Sequence, residues 1–478
     1  MSETTTELWR WTATALASAI AAGEISSTEA VRSCLERAEA VNPALGALLP
    51  FDERLALEAA AAADRAVAAG EQLGPLHGVP VSIKDNVPEA GRPNTGGIVA
   101  AAGAVAEEDA AVVRHLRAAG AVFVGRSNVP AFSLRWFSDN DLHGRTRNPW
   151  DAEVTPGGSS GGAAAAVAAG MVPLAHANDI AGSIRYPAHV CGVVGLRPTA
   201  GRVAAWAPSP EMPDLPYSSA AMAVQGPIAR TVADARLGLA AMERLDLSDP
   251  SATGAPIALD DPLPATVRVG VVRDVGIAPP SAAASRALDA AADALRAAGA
   301  EVEELELPAL AEAHRLWNLL AIEDLRLERG LFAQLGDDGL RTAIDAHFTV
   351  AAETWGEPDL ATVLRGQARR MALIHELEAL LSTRFAALLL PGSAAPAARH
   401  GADQTVDGFR ELLAAQWPNL AVPALGLPAL AVPTGVGDGL PEGVQLVGGR
   451  YREGRLLALG QLIEEAAGLL TPVDPRTA

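Results

Sequence analysis

Two serine-bearing glycine turns, close together in residues 155–187, limit what this chain can fold into more than any other feature. The first turn reads GGSSGG over residues 157–162, and the second reads AGS over residues 181–183. Glycine reaches backbone conformations that side chains forbid, so turns of this kind expose backbone N–H groups. N–H groups aimed at one point can stabilise an oxyanion, and a serine beside them becomes a candidate nucleophile if a base activates it.

A candidate base precedes both turns, in the sequence GPLHGVPVSIKDN. Residues 79–83 are apolar and predict a buried strand, which Lys84 follows directly. Burial disfavours the charged form of a lysine and can lower its pKa by several units, enough for it to take a proton from a serine. None of the nine histidines stands in a Ser-His-Asp pattern. The G-x-S-x-G match at residues 157–161 follows turns instead of a strand, so a nucleophile elbow is not indicated.

Four motifs follow one another along the chain: GVPVSIKDN, RTRNPWD, TPGGSSGG and DIAGSIRYPA. By these motifs the chain resembles the amidase signature family of serine hydrolases, and the similarity runs from about residue 16 to about residue 464. The tetrapeptide HAND at residues 176–179 carries a weaker resemblance, to family members of the 6-aminohexanoate cyclic dimer hydrolase type.

The family resemblance implies a Ser-Ser-Lys triad. Ser183 would be the nucleophile, Ser159 the bridging serine and Lys84 the base. In the family the peptide bond before the bridging serine is cis, which here is the bond between Gly158 and Ser159. Ser159 would then lie within hydrogen-bond reach of both Lys84 and Ser183.

The same resemblance implies an oxyanion hole built from backbone N–H groups. The expected donors are those of Ile180, Ala181, Gly182 and Ser183. Family members usually have glycine at the position of Ala181. A methyl group is tolerated there if the backbone angles suit alanine, because the N–H keeps its direction.

Further residues are expected to support the catalytic loop or to line the pocket. Ser160 is expected either to cap the helix that starts at Gly161 or to hydrogen-bond Lys84. Asp179 and Arg185 flank the nucleophile and are expected to brace its loop through hydrogen bonds without touching substrate. The expected pocket-lining residues are Trp136, Phe137, Trp206, Trp317 and Asn318.

The order of predicted elements indicates an α/β protein. A strand at residues 79–83, a helix at 108–119 and a strand at 121–125 follow one another, which is typical of an α/β sheet. Further strands are predicted at residues 192–196, 267–272, 301–307, 386–390, 429–433 and 444–447. Further helices are predicted at residues 12–22, 28–40, 54–69, 231–245, 281–298, 309–329 and 453–467.

The family resemblance implies a single domain over residues 1–478 with the amidase signature fold, a large mixed β-sheet flanked on both sides by α-helices. A stretch rich in Pro, Ser, Asp and Gly predicts a connector. The expected parts are N-terminal helices at residues 10–70, a signature core at 74–200, the connector at about 246–263 and a C-terminal α/β part at 265–470.

Charge and hydropathy exclude several partners and locations. The net charge is −20, which disfavours binding to nucleic acid or to anionic lipid. The apolar run at residues 15–22 follows Glu3 and Glu7, whereas a secretory signal begins with positive charge, so a cytoplasmic protein is predicted. The uncharged residues 412–437 contain evenly spaced prolines, which a transmembrane helix would not carry.

No cofactor or metal is expected. The histidines form no H-x-x-x-H or H-E-x-x-H pair, which argues against a metal site. The glycine turns lack the G-x-x-x-x-G-K-[ST] and G-x-G-x-x-G patterns of nucleotide-binding loops. A small-molecule amide is the expected partner, and the sequence is compatible with a homodimer.

These observations predict an amidase that hydrolyses the C–N bond of a small carboxamide, anilide or lactam through an acyl-enzyme. One alternative is the glutaminase (A) subunit of a tRNA-dependent amidotransferase. Such subunits typically read S-I-R-Q-P after the nucleophile, and this chain has Tyr186 in place of the glutamine. The second alternative, a catalytically silent binding protein on the same fold, is disfavoured by the complete triad.

Overall fold

The computed structural model of the protein describes residues 7–206, 215–253 and 259–476. The strands of the described residues are β1 (Pro80–Lys84), β2 (Val122–Ser127), β3 (Asp139–Asn140), β4 (Gly144–Arg145), β5 (Leu174–Asp179), β6 (Val194–Arg197), β7 (Val224–Ala229), β8 (Arg268–Val271), β9 (Glu301–Glu304), β10 (Ala387–Pro391), β11 (Ala429–Gly437) and β12 (Leu440–Val447).

The α-helices of the same residues are α1 (Ala13–Ala21), α2 (Ser27–Leu45), α3 (Glu53–Ala68), α4 (Ala111–Ala118), α5 (Gly161–Ala168), α6 (Arg185–Cys191), α7 (Tyr217–Met222), α8 (Val232–Met242), α9 (Ala282–Ala297), α10 (Pro308–Leu327), α11 (Arg329–Leu335), α12 (Asp338–Trp355), α13 (Leu360–Thr383), α14 (Val406–Ala415), α15 (Trp417–Leu425) and α16 (Glu453–Ala467). Short 3-10 turns occur at Leu8–Arg10, Val99–Ala101 and Ala131–Ser133.

Ten strands form one mixed sheet in the order β2-β1-β5-β7-β6-β11-β12-β10-β8-β9. At one end β1 pairs in parallel with β2 and β5, and at the other end β8 pairs in parallel with β9 and β10. The pairs between these two ends are antiparallel. Because β6 pairs with β11, strands from both sides of the predicted connector belong to the same sheet.

Helices cover both faces of this sheet, and each face has its own hydrophobic core. Along β10, Leu388 and Leu390 belong to one core, while Ala387 and Leu389 belong to the other. Successive side chains of a strand point to opposite faces, so an unbroken apolar strand can fill both cores. This arrangement confirms the predicted fold class, a large mixed sheet flanked on both sides by α-helices.

The helix between the two serine turns, α5, is buried along its whole length. Its sequence, GGAAAAVA, contains only small residues, because neighbouring elements approach its backbone closely. A Cβ atom added at Gly162 would lie 2.4 Å from the backbone nitrogen of Asn128. The alanine-rich run is therefore a packing requirement of the core, and it holds the first serine turn against the middle of the sheet.

Most predicted strands and helices are present, with ends shifted by a few residues. The sequence patterns did not predict the strands β3, β4, β5 and β7 or the helices α6, α7 and α11 to α15. Strand β5 was missed because it carries polar residues at its carboxyl end, which break the apolar pattern of a buried strand. Residues 246–253 and 259–263 of the predicted connector contain neither helix nor strand, and residues 254–258 lie outside the described part of the chain.

Candidate active site

Lys84, the last residue of β1, is completely buried. Its Nζ atom lies 2.7 Å from Ser159 Oγ and 2.6 Å from Asn178 Oδ1. Strands β1 and β5 are parallel neighbours, so Asn178, near the carboxyl end of β5, lies beside the end of β1. Burial lowers the pKa of Lys84 well below its usual value, and the opposing charge of Asp179 only partly counters this effect. The amine is therefore held in an environment that favours its neutral form.

The contacts of Lys84 suit a neutral amine. The side-chain nitrogen of Asn178 donates to Asn86 Oδ1 at 2.9 Å, which turns its carbonyl oxygen towards Lys84. Asn178 Oδ1 can only accept, so one N–H of Lys84 points to it. The nitrogen lone pair of a neutral Lys84 is then free to accept the hydroxyl proton of Ser159. Asn178 was not among the predicted site residues, although it lies within the HAND motif.

Ser159 is presented by a turn that only glycine permits. Gly157 has a φ of +80°, and a Cβ there would lie 2.6 Å from the Cα of Pro187. A Cβ at Gly158 would lie 2.4 Å from the carbonyl oxygen of Arg135. The Gly158–Ser159 peptide bond is cis, as the family resemblance implied. The backbone of neighbouring segments therefore lies so close to Gly157 and Gly158 that neither position has room for a side chain.

Ser183 lines the same cavity as Ser159, whose hydroxyl is hydrogen-bonded to Lys84. We expected Ser159 to reach both Lys84 and Ser183. Among the hydrogen bonds of the described residues, none joins the two serine hydroxyls, so only half of this expectation is met. In apo structures catalytic hydrogen bonds are often long and tighten only when substrate binds.

The loop before Ser183 presents three unpaired N–H groups. Within the described part of the chain, the N–H groups of Ile180, Ala181 and Ser183 have no hydrogen-bond acceptor. Gly182 differs from the prediction for the oxyanion hole, because its N–H donates to Asp179 Oδ1 at 2.9 Å. Gly182 has a φ of +88°, which lets the chain turn sharply before Ser183.

Asp179 and Arg185 form a buried ion pair that holds the loop before Ser183. Arg185 Nε lies 3.0 Å from Asp179 Oδ2, and Arg197 Nη1 donates to the backbone carbonyl of Asp179 at 2.6 Å. Burial opposes ionisation of Asp179, but the charges of Arg185 and Arg197 outweigh it and lower the pKa of the carboxyl to about 2. The carboxylate therefore stays charged and keeps its bonds to the loop backbone.

Ser160 has neither of its expected roles. Its side chain makes no capping hydrogen bond at the start of α5, and the amine of Lys84 is hydrogen-bonded to Ser159 and Asn178 instead. Ser160 Oγ donates to the carbonyl of Asn178 at 3.4 Å. Capping fails because the residue at this cap has a backbone conformation outside the extended region that a capping serine normally adopts.

Two tryptophans connect the walls of the cavity to the loop that precedes Ser183. Trp136 Nε1 donates to the carbonyl of Ala181 at 2.8 Å, and Trp317 Nε1 donates to the carbonyl of Ile180 at 2.8 Å. A trans peptide points its carbonyl and its N–H in opposite directions. The bond from Trp317 therefore turns the N–H of Ala181 away from that indole.

The cavity has a volume of about 260 Å³, and both serines open onto it. Of the predicted lining residues, Trp136, Trp206 and Trp317 are present in its walls. Phe137 and Asn318 are not: Phe137 is fully buried in the core, and Asn318 is hydrogen-bonded to His347 behind the wall. The prediction failed for both because a helix or loop can turn adjacent residues to opposite sides, which sequence proximity does not show.

The wall of the cavity also contains aromatic residues that no sequence motif predicted. Phe409, on α14, lies 6.3 Å from Trp136 between ring centroids, and 4.9 Å from His347 on α12. His347 in turn stacks with Trp317 at 6.1 Å and an interplanar angle of 5°. A continuous row of four rings therefore borders the cavity. Helices α12 and α14 lie far from the serine turns in sequence, so no local signal could have placed them here.

Comparison with known proteins identifies the family. The profile of the Amidase family matches residues 29–457, most of the chain. The chain belongs to the amidase family. This amidase is 39% identical over 469 residues to the indoleacetamide hydrolase of Bradyrhizobium diazoefficiens, an alignment that covers 97% of this chain and 88% of that relative.

Two further relatives show the breadth of the amidase family. The A subunit of the glutamyl-tRNA(Gln) amidotransferase of Acidothermus cellulolyticus is 35% identical, over 96% of this chain and 95% of its own length. The solved structure of 6-aminohexanoate cyclic dimer hydrolase superposes with a TM-score of 0.81 at 29% identity, covering 98% of this chain and 99% of that one. The protein is accordingly an amidase, a hydrolase of carbon–nitrogen bonds.

The described residues of this amidase contain neither a membrane-spanning helix nor a cluster of metal-ligating side chains. None of its helices is both long and apolar enough to cross a membrane. No group of three or more His, Cys, Asp or Glu side chains in the described ranges is arranged to hold a metal ion.

Proposed function

We propose that this amidase hydrolyses small, uncharged carboxamides that carry an aromatic group, and that it does so through Ser183, Ser159 and Lys84. The observation that carries the proposal is that the buried Lys84–Ser159 pair opens, together with Ser183, onto a cavity bordered by aromatic rings. The similarity to an indoleacetamide hydrolase supports an aromatic amide as substrate.

The proposed reaction starts with proton transfer through Ser159. Neutral Lys84 takes the hydroxyl proton of Ser159, which takes that of Ser183 as the Ser183 oxygen attacks the amide carbonyl. Ser159 then passes its proton to the leaving nitrogen and regains one from the protonated Lys84, and ammonia or an amine departs. Water attacks the acyl-enzyme by the same relay and releases the carboxylic acid.

The oxyanion of each tetrahedral intermediate would be held by the loop before the nucleophile. The free N–H groups of Ile180, Ala181 and Ser183 are the candidate donors. Gly182 would act indirectly, because its N–H is bound to Asp179 and so keeps the turn in shape. We therefore propose a hole of up to three donors, in place of the four that the family resemblance implied.

The substrate preference can be tested by measuring ammonia release from a panel of primary amides. Indole-3-acetamide, 2-phenylacetamide and 1-naphthylacetamide should be hydrolysed with a kcat/KM at least about 100-fold above that of acetamide, because burying an aromatic ring contributes about 3 kcal/mol. Equal rates for acetamide and the arylacetamides would contradict the proposed preference.

The nucleophile can be tested with a fluorophosphonate probe and mass spectrometry. The label should be found on Ser183, and Ser183→Ala should lose both labelling and turnover while keeping the fold, as judged by circular dichroism. Lys84→Arg should also be inactive, because arginine cannot supply a neutral base. A label on Ser159 would overturn the assignment of the nucleophile.

The relatives that are amidotransferase subunits support a second candidate, glutamine hydrolysis within a complex. Tyr186 argues against this candidate, because the amidotransferase subunits typically have glutamine at its position. The tyrosine is fully buried, and its hydroxyl accepts a hydrogen bond from the backbone of Ala398 at 3.4 Å. The acidic net charge of −20 also disfavours contact with tRNA. Activity of the purified chain on glutamine only, or only with added tRNA and partner subunits, would favour this candidate over the arylamide proposal.

A further inference from the structure

His347 is the one titratable side chain of the aromatic row that borders the cavity, among the described residues. Its ring lies between Trp317 and Phe409, with centroids 6.1 Å and 4.9 Å away. The side chain is almost completely buried, with 6% of its surface exposed. The proposed reaction does not use it, so its polar edge in an aromatic wall calls for another explanation.

The hydrogen bonds behind His347 fix which ring nitrogen carries the proton. Asn318, on α10, donates through its side-chain nitrogen to the carbonyl of His314 at 3.3 Å. Its oxygen Oδ1 therefore faces His347 Nε2, at 3.1 Å. Because this oxygen can only accept, Nε2 must carry the hydrogen, and Nδ1 of a neutral ring is left with a lone pair.

The ring is held in its neutral form by its surroundings. Burial lowers the pKa of His347 to about 4, and the nearby His314 adds to this effect. Within the described residues, Nδ1 has no hydrogen-bond partner, although the ring lines the cavity. The wall of the substrate cavity thus contains a fixed hydrogen-bond acceptor among otherwise apolar rings.

We infer that His347 is a specificity-determining residue, whose Nδ1 accepts a hydrogen bond from an N–H or O–H group on the aromatic ring of the substrate. This inference rests on the proposed function and narrows its substrate class to amides whose ring carries a donor, such as an indole N–H. A site built to bind such a donor discriminates against analogues that lack it, because its own polar group is then left unpaired.

Other polar groups in the cavity wall are less suited to this role. Asp403 accepts two hydrogen bonds from Arg135, at 2.7 Å and 2.9 Å, so its oxygens are already engaged. Gln225 Oε1 is bonded to His176 Nε2 at 2.9 Å. Glu328 also lines the cavity and is the principal competitor for a substrate donor, so the experiment includes it.

The test compares three arylacetamides on four proteins. Indole-3-acetamide has the ring donor, while 1-methylindole-3-acetamide and 1-naphthylacetamide lack it. The proteins are the wild type, His347→Phe, Glu328→Met, which removes both side-chain oxygens, and His375→Phe, which replaces an exposed histidine of α13 and serves as the matched control. The readouts are kcat/KM and, in a Ser183→Ala background, the Kd of each amide by calorimetry.

We expect the wild type and His375→Phe to prefer indole-3-acetamide over both analogues by about tenfold or more, as one well-formed hydrogen bond allows. His347→Phe should lose most of this preference, because its kcat/KM for indole-3-acetamide should fall. Its kcat/KM for 1-naphthylacetamide should change by less than about threefold. The Kd values should follow the same order, so binding reports on His347 even where turnover is slow.

Several results would overturn the inference while leaving the proposed function intact. One is an equal kcat/KM of the wild type for all three amides. This result can be obtained without any variant. Another is loss of the preference in Glu328→Met with its retention in His347→Phe, which would assign the acceptor to Glu328. A wild type that neither binds nor hydrolyses any arylacetamide would refute the proposed function, and the inference with it.

Discussion

At the scale of single residues, the site depends on the protonation state of one buried amine. Lys84 has no exposed surface, and its partners are a serine hydroxyl and an amide oxygen. A charged ammonium in this position would be poorly solvated and would have no lone pair for Ser159. The neighbouring carboxylate of Asp179 is kept apart by its own arginine partners, so it does not form an ion pair with the lysine.

The buried lysine should make stability depend on pH. Burial lowers the pKa of Lys84 in the fold, so between the folded and unfolded pKa values the unfolded state binds more protons and stability rises with pH. Between pH 7 and 9, the free energy of unfolding of wild type relative to Lys84→Met should rise with pH, by up to about 1.4 kcal/mol per pH unit. Urea unfolding of both proteins across this range measures it. A pH-independent difference would mean that Lys84 is charged in the fold.

Asn178 should influence the equilibrium between the neutral and charged forms of Lys84. In Asn178→Asp a carboxylate would face Lys84 and favour its ammonium form, so its pKa would rise. The acid limb of the kcat/KM profile should then move to higher pH by more than about one unit. Asn178→Ala is the control: it removes the hydrogen bond without adding charge, and should lower activity without an upward shift. Equal profiles for both variants would argue against an electrostatic role.

At the scale of elements, the loop before Ser183, the proposed nucleophile, is held between a buried ion pair and two indoles. Asp179 and Arg185 bind the loop on one side, while Trp136 and Trp317 donate to its carbonyls on the other. The two tryptophans come from different parts of the chain, a loop and helix α10. The wall of the pocket and the shape of the oxyanion loop are therefore set by the same side chains.

This dual role predicts a specific loss of turnover. Trp136→Phe and Trp317→Phe keep an aromatic ring but remove the indole N–H, so each should lower kcat by about 10- to 100-fold. Trp150→Phe is the matched control, because Trp150 also donates to a carbonyl, that of Cys191 at 2.9 Å, outside the cavity. The three variants should lose similar stability in thermal unfolding. Unchanged kcat in the first two would show that the indoles serve packing alone.

At the scale of the whole molecule, the site draws on both parts of the sheet. Lys84 and the serines come from the region before the predicted connector, whereas Trp317, His347 and Phe409 come after it. The two regions meet where β6 pairs with β11, with Leu196 opposite Leu430. A substrate in the cavity would therefore contact residues from both.

We propose on this basis that the chain behaves as one domain, and we expect a single cooperative unfolding transition. The reason is that strands of the two regions pair in one sheet, so either region alone would leave the edge of its part of the sheet unpaired. Urea transitions followed by far-ultraviolet circular dichroism and by tryptophan fluorescence should coincide. Two separated transitions, or a fragment of residues 265–478 that folds alone, would contradict this expectation.

The sequence alone determined the α/β class through local patterns, and its motifs indicated the candidate catalytic residues through their resemblance to the amidase family. Apolar strands and the alanine-rich helix follow from residue type and spacing, and the two glycine turns identify Ser159 and Ser183. Lys84 could be predicted as buried because it directly follows an apolar strand. These features are properties of short segments, which the sequence displays directly.

Only the tertiary structure decided how those segments are completed. The Gly182 N–H turned out to bind Asp179, and the partner of Lys84 turned out to be Asn178, because β1 and β5 lie side by side. His347 and Phe409 reach the cavity through helices far away in sequence. Such contacts arise from the pairing of distant strands and the packing of distant helices, and no local pattern encodes which side chains will then face each other.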